Sequence, residues 1–164
     1  MTLAQLLAPE FEQEAAITRR LLERVPTDKL AWTPHPKSMT LGKLAGHIAE
    51  IPSWINGTLE FTELDMAGYV SPEPKDTAEI LAAFDAAVAA GSPALAAVAD
   101  ADLAVEWTLK MGDMTIFALP RLAVIRTWVI NHMVHHRAQL GVYLRLLDVP
   151  VPGIYGPSAD DQGM

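Results

Sequence analysis

Cysteine is absent from this chain of 164 residues, and basic side chains are few. Without cysteine, the chain can form no disulfide, no thiolate-ligated zinc site, no iron–sulfur cluster and no thiol nucleophile of its own. Any metal must therefore bind to histidine and carboxylate, and any thiol must be supplied by a ligand. Lys and Arg number 12 against 20 Asp and Glu, a formal charge of −8. This acidic balance argues against a nucleic-acid partner, because a phosphate backbone requires clustered positive charge.

The sequence also lacks an uninterrupted apolar run of the roughly 18 residues that a membrane span needs. Glu10, Glu12 and Glu14 interrupt the start of the chain, where a secretory signal would be continuously apolar. We therefore expect a cytoplasmic protein with no membrane partner. Hydrophobic residues make up 51% of the chain, which is enough for a substantial core. The length suits a single domain over residues 1–164.

Four segments have the apolar spacing of amphipathic helices. They run from about Leu3 to Val25, from Ser38 or Thr40 to about Leu59, from about Asp76 onward, and from about Pro120 to Leu147. Pro52 lacks an N–H and crowds the preceding turn, so we predict a kink there. Gly91 and Pro93 predict a bend or a break in the third helix.

The segment from Val105 to Phe117 has a different pattern. Apolar and polar residues alternate up to Lys110, and Gly112-Asp113 offers a turn, which predicts a short β-hairpin. Residues 65–75, rich in Pro and Gly, are predicted to form a loop. The sequence thus predicts an all-α fold: a four-helix bundle with a long crossover connection and a small β-hairpin before the last helix.

Three of the five histidines fall in the fourth predicted helix. His132 and His136 are one turn apart, about 6 Å along the axis, on the same apolar stripe as Val129 and Leu140. Two neutral imidazoles in an apolar interior need partners for their ring nitrogens, and two protonated ones repel each other. A divalent metal resolves both problems.

His47 shares an apolar face of the second predicted helix with Leu44 and Trp54. Three inward histidines from two helices would form a three-His site with open positions, the arrangement of catalytic zinc. Ordinary buried histidines that bind no metal are the alternative reading of the same spacing. The pair is not the protease motif H-E-x-x-H, because Met133, Val134 and His135 separate His132 from His136. His135 is predicted to lie at the surface or behind the ligands.

Three stretches of the sequence resemble the DinB/YfiT-like superfamily of proposed metalloenzymes. They are LGKLAGHIAE from Leu41 to Glu50, NHMVHHRAQL from Asn131 to Leu140, and VPVPGIYGPSAD from Val149 to Asp160. The resemblance implies a four-helix bundle with a divalent metal held by His47, His132 and His136. It also implies a homodimer. Related proteins include S-transferases and isomerases that use low-molecular-weight thiols.

The resemblance leaves the reaction open. A zinc, nickel, manganese or iron ion on three imidazoles could serve a transferase that uses a low-molecular-weight thiol, or a hydrolase that uses a metal-bound hydroxide. The substrate would be a small molecule. Glu50 is the candidate to orient a ligand or move a proton, and Arg137 is the candidate to bind a carboxylate. The alternatives are a non-catalytic protein that binds a metal or a small ligand, and a purely structural bundle.

Overall fold

A computed structural model describes residues 1–162 of the chain. The predicted single domain, residues 1–164, extends two residues beyond this range. The helices are α1 (Ala4–Leu22), α2 (Leu41–Glu50), α3 (Trp54–Glu60), α4 (Thr77–Ala97), α5 (Asp100–Leu103), α6 (Arg121–Val124) and α7 (His132–Leu146). The strands are β1 (Glu63–Asp65), β2 (Glu106–Met111) and β3 (Met114–Pro120).

The predicted four-helix bundle is confirmed. Its corners are α1, the α2–α3 pair, α4 and α7; α1 and α2 each pack against both α4 and α7. Helix α1 therefore lies diagonally opposite α2, and α4 lies diagonally opposite α7. The chain crosses the bundle twice, once between α1 and α2 and once through the hairpin between α4 and α7. Large apolar side chains from all corners fill the centre, including Phe11, Leu44, Ile48, Phe84 and Leu140.

The predicted kink at Pro52 is confirmed as a short 3₁₀ turn, Ile51–Ser53, that separates α2 from α3. Thr40 caps the N-terminus of α2: its hydroxyl accepts a hydrogen bond of 3.2 Å from the Lys43 N–H. The turn places Trp54 at the start of α3, a few residues beyond His47.

The predicted break in the third helix is wrong, because α4 continues without interruption past Gly91 and Pro93. Gly91 lies against the kink: a Cβ there would meet the Pro52 carbonyl oxygen at 3.1 Å. Gly91 and Pro93 have low helix propensity. Packing against the α2–α3 turn and burial of Leu95 one turn later stabilise the helix at these positions.

Helix α4 is long and apolar enough to span a bilayer by length and composition alone. One such helix is weak evidence for a membrane segment, because helices of water-exposed proteins can have the same composition. Here α4 places Ile80, Phe84 and Leu95 in the bundle core, and alanines supply most of its apolar character.

The predicted β-hairpin is confirmed. Strands β2 and β3 are antiparallel, and they turn at Gly112, which has a φ of +58°. Strand β3 extends to Pro120, so the last helical segment begins one residue later than predicted. Strand β1, which the sequence did not reveal, adds to the hairpin as a parallel neighbour of β2. The sheet packs on α6 through a small apolar cluster, in which Trp107 and Leu109 of β2 meet Val124 of α6.

The last predicted helix is one helical run with a change of geometry in its middle. Residues Ile125–Asn131 form a π-helical segment between α6 and α7. A π turn contains more residues than an α turn, so it rotates the side chains that follow it relative to those before it. Both His132 and His136 lie beyond the segment, within regular α-helix, so their one-turn spacing is preserved.

Candidate metal centre

The structure brings His47, His132 and His136 together. His47 comes from α2, and the other two come from the first turns of α7. The Nε2 atoms of His132 and His136 are 2.8 Å apart, and those of His47 and His132 are 3.3 Å apart. The three ligand nitrogens all lie within 4.8 Å of one another. His136 is buried, and the other two are half-buried.

The Nδ1 atom of each of the three imidazoles lies within hydrogen-bond distance of an acceptor. His47 Nδ1 lies 2.6 Å from Glu50 Oε1, and His136 Nδ1 lies 2.7 Å from Gln139 Oε1. His132 Nδ1 lies 3.3 Å from the carbonyl oxygen of Trp128. Because these partners are acceptors, Nδ1 carries the proton in each ring, and the lone pair is on Nε2. Three lone pairs therefore face a common point.

Burial and the neighbouring imidazoles lower the pKa of two of the three histidines, His132 and His136. Burial, together with the neighbouring His136 and His47, lowers the pKa of His132 to about 4. Burial also lowers the pKa of His136, although the hydrogen bond that its ring donates to Gln139 acts in the opposite direction. Neutral imidazole is the form that binds metal, so the environment prepares the rings for a cation.

The donor set fits a divalent cation. Ligand nitrogens 2.0–2.1 Å from a tetrahedral zinc are separated by about 3.3 Å, close to the distances between these Nε2 atoms. In addition, each Nδ1 donates to an acceptor, which is the usual arrangement around a metal-bound histidine. Within residues 1–162, the metal-ligating group consists of the three histidines, with no fourth His, Asp or Glu among them. Three protein ligands leave coordination positions open, as in catalytic zinc sites.

Two tryptophans flank His132. The ring centroids of Trp54 and Trp128 lie 6.0 and 6.1 Å from that of His132, both in edge arrangements. Trp128 also stacks on Phe117 of β3, with centroids 4.9 Å apart and an angle of 18°. The β-hairpin therefore supports one side of the cluster, a role that the sequence did not indicate.

Glu50 lies behind the His47 ring, and its role in the reaction stays a prediction. Its Oε1 contacts His47 Nδ1 and also accepts a hydrogen bond from the hydroxyl of Tyr69. Burial and the bond to Glu50 raise the pKa of Tyr69 to about 12, so the phenol stays protonated. Tyr69 falls in the predicted loop, and no sequence pattern linked it to the histidines. Only the folded chain brings it to Glu50.

Arg137 faces away from the cluster in all its described contacts. Its guanidinium lies 2.7 Å from Glu14 Oε2 and 3.2 Å from Thr18 Oγ1, both on α1, and it also donates to the hydroxyl of Tyr155. The side chain is buried. These contacts tie α7 to α1 and to the tail. The catalytic assignment of Arg137 stays a prediction.

The two remaining histidines are exposed. His135 lies beside His136, with ring centroids 4.8 Å apart, and it points to the outer side of α7. His35 lies in the proline-containing loop, where its Nδ1 accepts a hydrogen bond of 3.1 Å from the Lys37 N–H. Gln139 is also exposed. The sequence shows only that it is close to His136 along the chain, and the structure shows that it is the hydrogen-bond partner of that ring.

Comparison with known proteins identifies a family and several similar solved structures, including two from Bacillus species. The DinB family model matches residues 1–163. A DinB-like protein from Bacillus cereus is 28% identical, with 88% of this chain and 92% of that chain covered and a TM-score of 0.67. A DinB-like protein from Bacillus subtilis is 17% identical, covers 97% and 99%, and has a TM-score of 0.69; it supports the fold alone. No curated protein matches the sequence.

Proposed function

This chain belongs to the DinB family, and on that premise we propose that it is a metal-dependent enzyme acting on a small molecule. His47, His132 and His136 would hold one divalent cation: zinc, nickel, manganese or iron. The observation that supports the proposal is the convergence of three Nε2 atoms while every Nδ1 is occupied by an acceptor. Three facing lone pairs are unfavourable without a cation between them.

The residues around the cluster have separable tasks. A divalent cation with open positions lowers the pKa of a water or a thiol that binds to it. Glu50 Oε1 holds the proton on His47 Nδ1 and so keeps the His47 lone pair on Nε2. Tyr69 donates to the same carboxylate and fixes it. Trp54 and Trp128 restrict water on two sides of His132.

Two reaction types fit this arrangement. One is a transferase that uses a low-molecular-weight thiol, and the other is a hydrolase that uses activated water. The chain has no cysteine, so the thiol in the first case must be a separate molecule. A non-catalytic protein that binds a metal or a small ligand is the alternative. The three-residue ligand set favours catalysis, because structural zinc sites are closed by four protein ligands.

The first test is elemental analysis of untagged protein beside three variants. We expect about one equivalent of divalent metal in the wild type, and a large loss in His47→Ala and His132→Ala. His35→Ala is the matched control, since it removes an exposed imidazole outside the cluster. A wild-type protein that carries no metal, and takes up none when zinc, nickel, manganese and iron are added, would contradict the proposal.

A second test separates the reaction types. The metal-loaded protein is assayed with a set of electrophilic and ester substrates, with and without added low-molecular-weight thiols. Thiol-dependent turnover indicates a transferase, and thiol-independent turnover indicates a hydrolase. Loss of either activity in His136→Ala, with helical content unchanged by circular dichroism, would connect it to the cluster. Metal binding without turnover in any assay would favour the non-catalytic alternative.

Two further proposals concern the state of the protein. We propose that it is a homodimer and that it acts in the cytoplasm. The mass in solution by light scattering tests the first proposal, with 17.8 kDa expected for a monomer and twice that for a dimer. Fractionation of cells that express the untagged chain tests the second.

A further inference from the structure

The segment between β1 and α4, residues 66–75, lies along one side of α2, and we call it the strap. Its two ends are fixed to that helix by polar contacts. The hydroxyl of Tyr69 donates a hydrogen bond to the carboxylate of Glu50, at the end of α2. Nearer the start of the helix, Lys43 Nζ lies 3.1 Å from Glu73 Oε1. The strap therefore runs antiparallel to α2, from Glu50 back to Lys43.

The middle of the strap depends on the glycine at position 46. Pro72 and Pro74 lie directly over it, and a Cβ on Gly46 would meet Pro74 Cδ at 3.0 Å and Pro72 Cβ at 3.2 Å. These distances are shorter than ordinary van der Waals contact, so a larger residue at position 46 would push the strap away from α2. Gly46 immediately precedes His47, so the strap contacts α2 next to a proposed metal ligand.

The strap has little apolar burial of its own. None of its residues, all of which the structure describes, is buried, and Val70 is 84% exposed. The pair of Lys43 and Glu73 lies at the surface, where ion pairs contribute little. A cavity of about 280 Å³ lies beneath the strap, between it, α2 and α4. Segments with few buried contacts open more readily than the core, so the bond from Tyr69 to Glu50 matters for closure.

One carboxylate oxygen connects the strap to the histidine cluster. Glu50 Oε1 accepts hydrogen bonds from the Tyr69 hydroxyl and from His47 Nδ1, which lies 2.6 Å away. If a cation on Nε2 fixes the His47 ring, the ring in turn fixes Glu50, and less ordering is needed to close the strap. The reverse effect follows from thermodynamic linkage: a closed strap fixes Glu50 and so favours the cation on His47.

We propose that closure of the strap and metal binding stabilise each other, and that Tyr69 is the positioning residue that links them through Glu50. The inference rests on the proposed metal centre and adds a conformational control to it. The hydroxyl of Tyr69 bonds to Glu50 and not to a histidine, so its effect on the metal is indirect. The strap is expected to open more often in the metal-free protein than in the metal-loaded protein.

Zinc affinity tests the link in one direction. Tyr69→Phe keeps the aromatic ring and removes only the hydroxyl that donates to Glu50. Loss of a direct outer partner lowers metal affinity about 10- to 100-fold, and Tyr69 is one bond further out, so we expect a loss of about 3- to 10-fold. Competition with a chromophoric chelator measures it. Tyr143→Phe is the matched control: it removes a hydroxyl that donates to the Met39 carbonyl oxygen, and it should leave zinc affinity unchanged.

Cleavage by chymotrypsin tests the link in the other direction. The bond between residues 69 and 70 follows an aromatic residue in both the wild type and Tyr69→Phe, and Val70 is exposed. Mass spectrometry follows cleavage at this bond, which reports how often the strap opens. We expect zinc to slow the cleavage severalfold in the wild type and much less in Tyr69→Phe. His132→Ala, which lacks one proposed ligand, controls for a direct effect of zinc on the protease.

A second variant displaces the strap without changing Tyr69. Gly46→Leu places a side chain where Pro72 and Pro74 now lie. It should speed the cleavage after Tyr69 and weaken zinc binding, in the same direction as Tyr69→Phe. Gly57→Leu is the matched control on the next helix, because a Cβ there meets no atom within 4 Å, and it should change neither quantity.

The zinc affinity of the wild type keeps the two proposals apart. If the wild type binds zinc and Tyr69→Phe binds it equally tightly, the link is wrong and the metal centre stands. Cleavage that zinc does not slow in the wild type would overturn the link in the same way, because linkage requires an effect in both directions. If the wild type binds neither zinc nor another divalent metal, the proposed function fails, and the link fails with it.

Discussion

The Nε2 atoms of His132 and His136 lie 2.8 Å apart, one turn of α7 from each other. Each ring donates its Nδ1 proton elsewhere, His132 to the Trp128 carbonyl and His136 to Gln139. Neither Nε2 can then donate to the other while both rings are neutral. The contact is favourable only when a proton or a cation lies between the two nitrogens, and burial opposes the proton.

The pKa of His132 predicts how the stability of the metal-free protein depends on pH. Burial, with the nearby His136 and His47, lowers this pKa from 6.5 to about 4. The unfolded chain therefore binds more protons than the folded chain between these values, and the free energy of unfolding should fall as pH decreases from 6.5 towards 4. Urea unfolding of the metal-free protein at several pH values measures this change.

The variant His132→Gln should have a shallower dependence over the same pH range, because it removes the titrating ring. His35→Gln, which alters an exposed histidine, should follow the wild type. If His132→Gln keeps the full dependence of the wild type, the depressed pKa does not belong to His132.

Glu50 should control metal affinity without contacting the metal. Its carboxylate fixes His47 through Nδ1, and loss of such an outer partner typically lowers metal affinity about 10- to 100-fold. We expect a loss of this size for Glu50→Ala and a smaller one for Glu50→Gln, whose amide oxygen can still accept the proton. Competition with a chromophoric chelator measures the affinities.

Gln139→Ala provides the matched comparison at His136. Gln139 is exposed and uncharged, so its removal should cost less affinity than the removal of Glu50. Equal metal affinities for the wild type and Glu50→Ala would show that the hydrogen bond from His47 Nδ1 to Glu50 does not contribute to metal binding.

The ligand cluster was predictable because its determinants are local. The one-turn spacing of His132 and His136 and the apolar face of His47 put three rings inside the bundle, and the family resemblance named the same residues. The hairpin was predictable for a similar reason, since alternation and Gly112 are features of consecutive residues.

The remaining features depend on contacts between distant parts of the chain. Strand β1 consists of three exposed residues, too few to produce an alternating pattern. Tyr69 reaches Glu50 only because the loop folds over the bundle. Glu14, one of three acidic residues near the start of the chain, is buried against Arg137, a partner 123 residues away. The π-helical segment keeps a helical apolar spacing, so the sequence did not distinguish it from α-helix.

The ion pair between Arg137 and Glu14 should make a large contribution to stability. Only 3% and 12% of the two side chains are exposed, and their closest atoms are 2.7 Å apart. Removing one member of a buried pair leaves an uncompensated charge, at a cost of about 3–5 kcal/mol. We expect this loss for Arg137→Met in urea unfolding, and recovery of most of it in the double variant Arg137→Met/Glu14→Leu.

The double variant also tests the catalytic assignment of Arg137. If the guanidinium only connects α7 to α1, the double variant should retain metal and activity once its stability is restored. Lost activity in a stable, metal-loaded double variant would instead support a part for Arg137 in the reaction.

The turn at Gly112 joins β2 to β3 and gives the final prediction. Its φ of +58° lies in the left-handed region, which costs other residues about 1–2 kcal/mol. Gly112→Ala should destabilise the protein by about this amount in urea unfolding, although an added Cβ meets no atom within 4 Å. Gly68→Ala, equally open and without a positive φ, should be close to neutral.

The hairpin reaches the histidines through Phe117, which stacks on Trp128 beside His132. Strain at Gly112 should therefore loosen the hairpin before it disturbs the cluster, because the turn lies at the far end of β2 and β3 from the bundle. We expect Gly112→Ala to keep its metal at 25 °C and to lose protection of the β2 and β3 amides in hydrogen exchange. A metal loss equal to that of His132→Ala would mean that the hairpin is part of the site and not only a support for one of its walls.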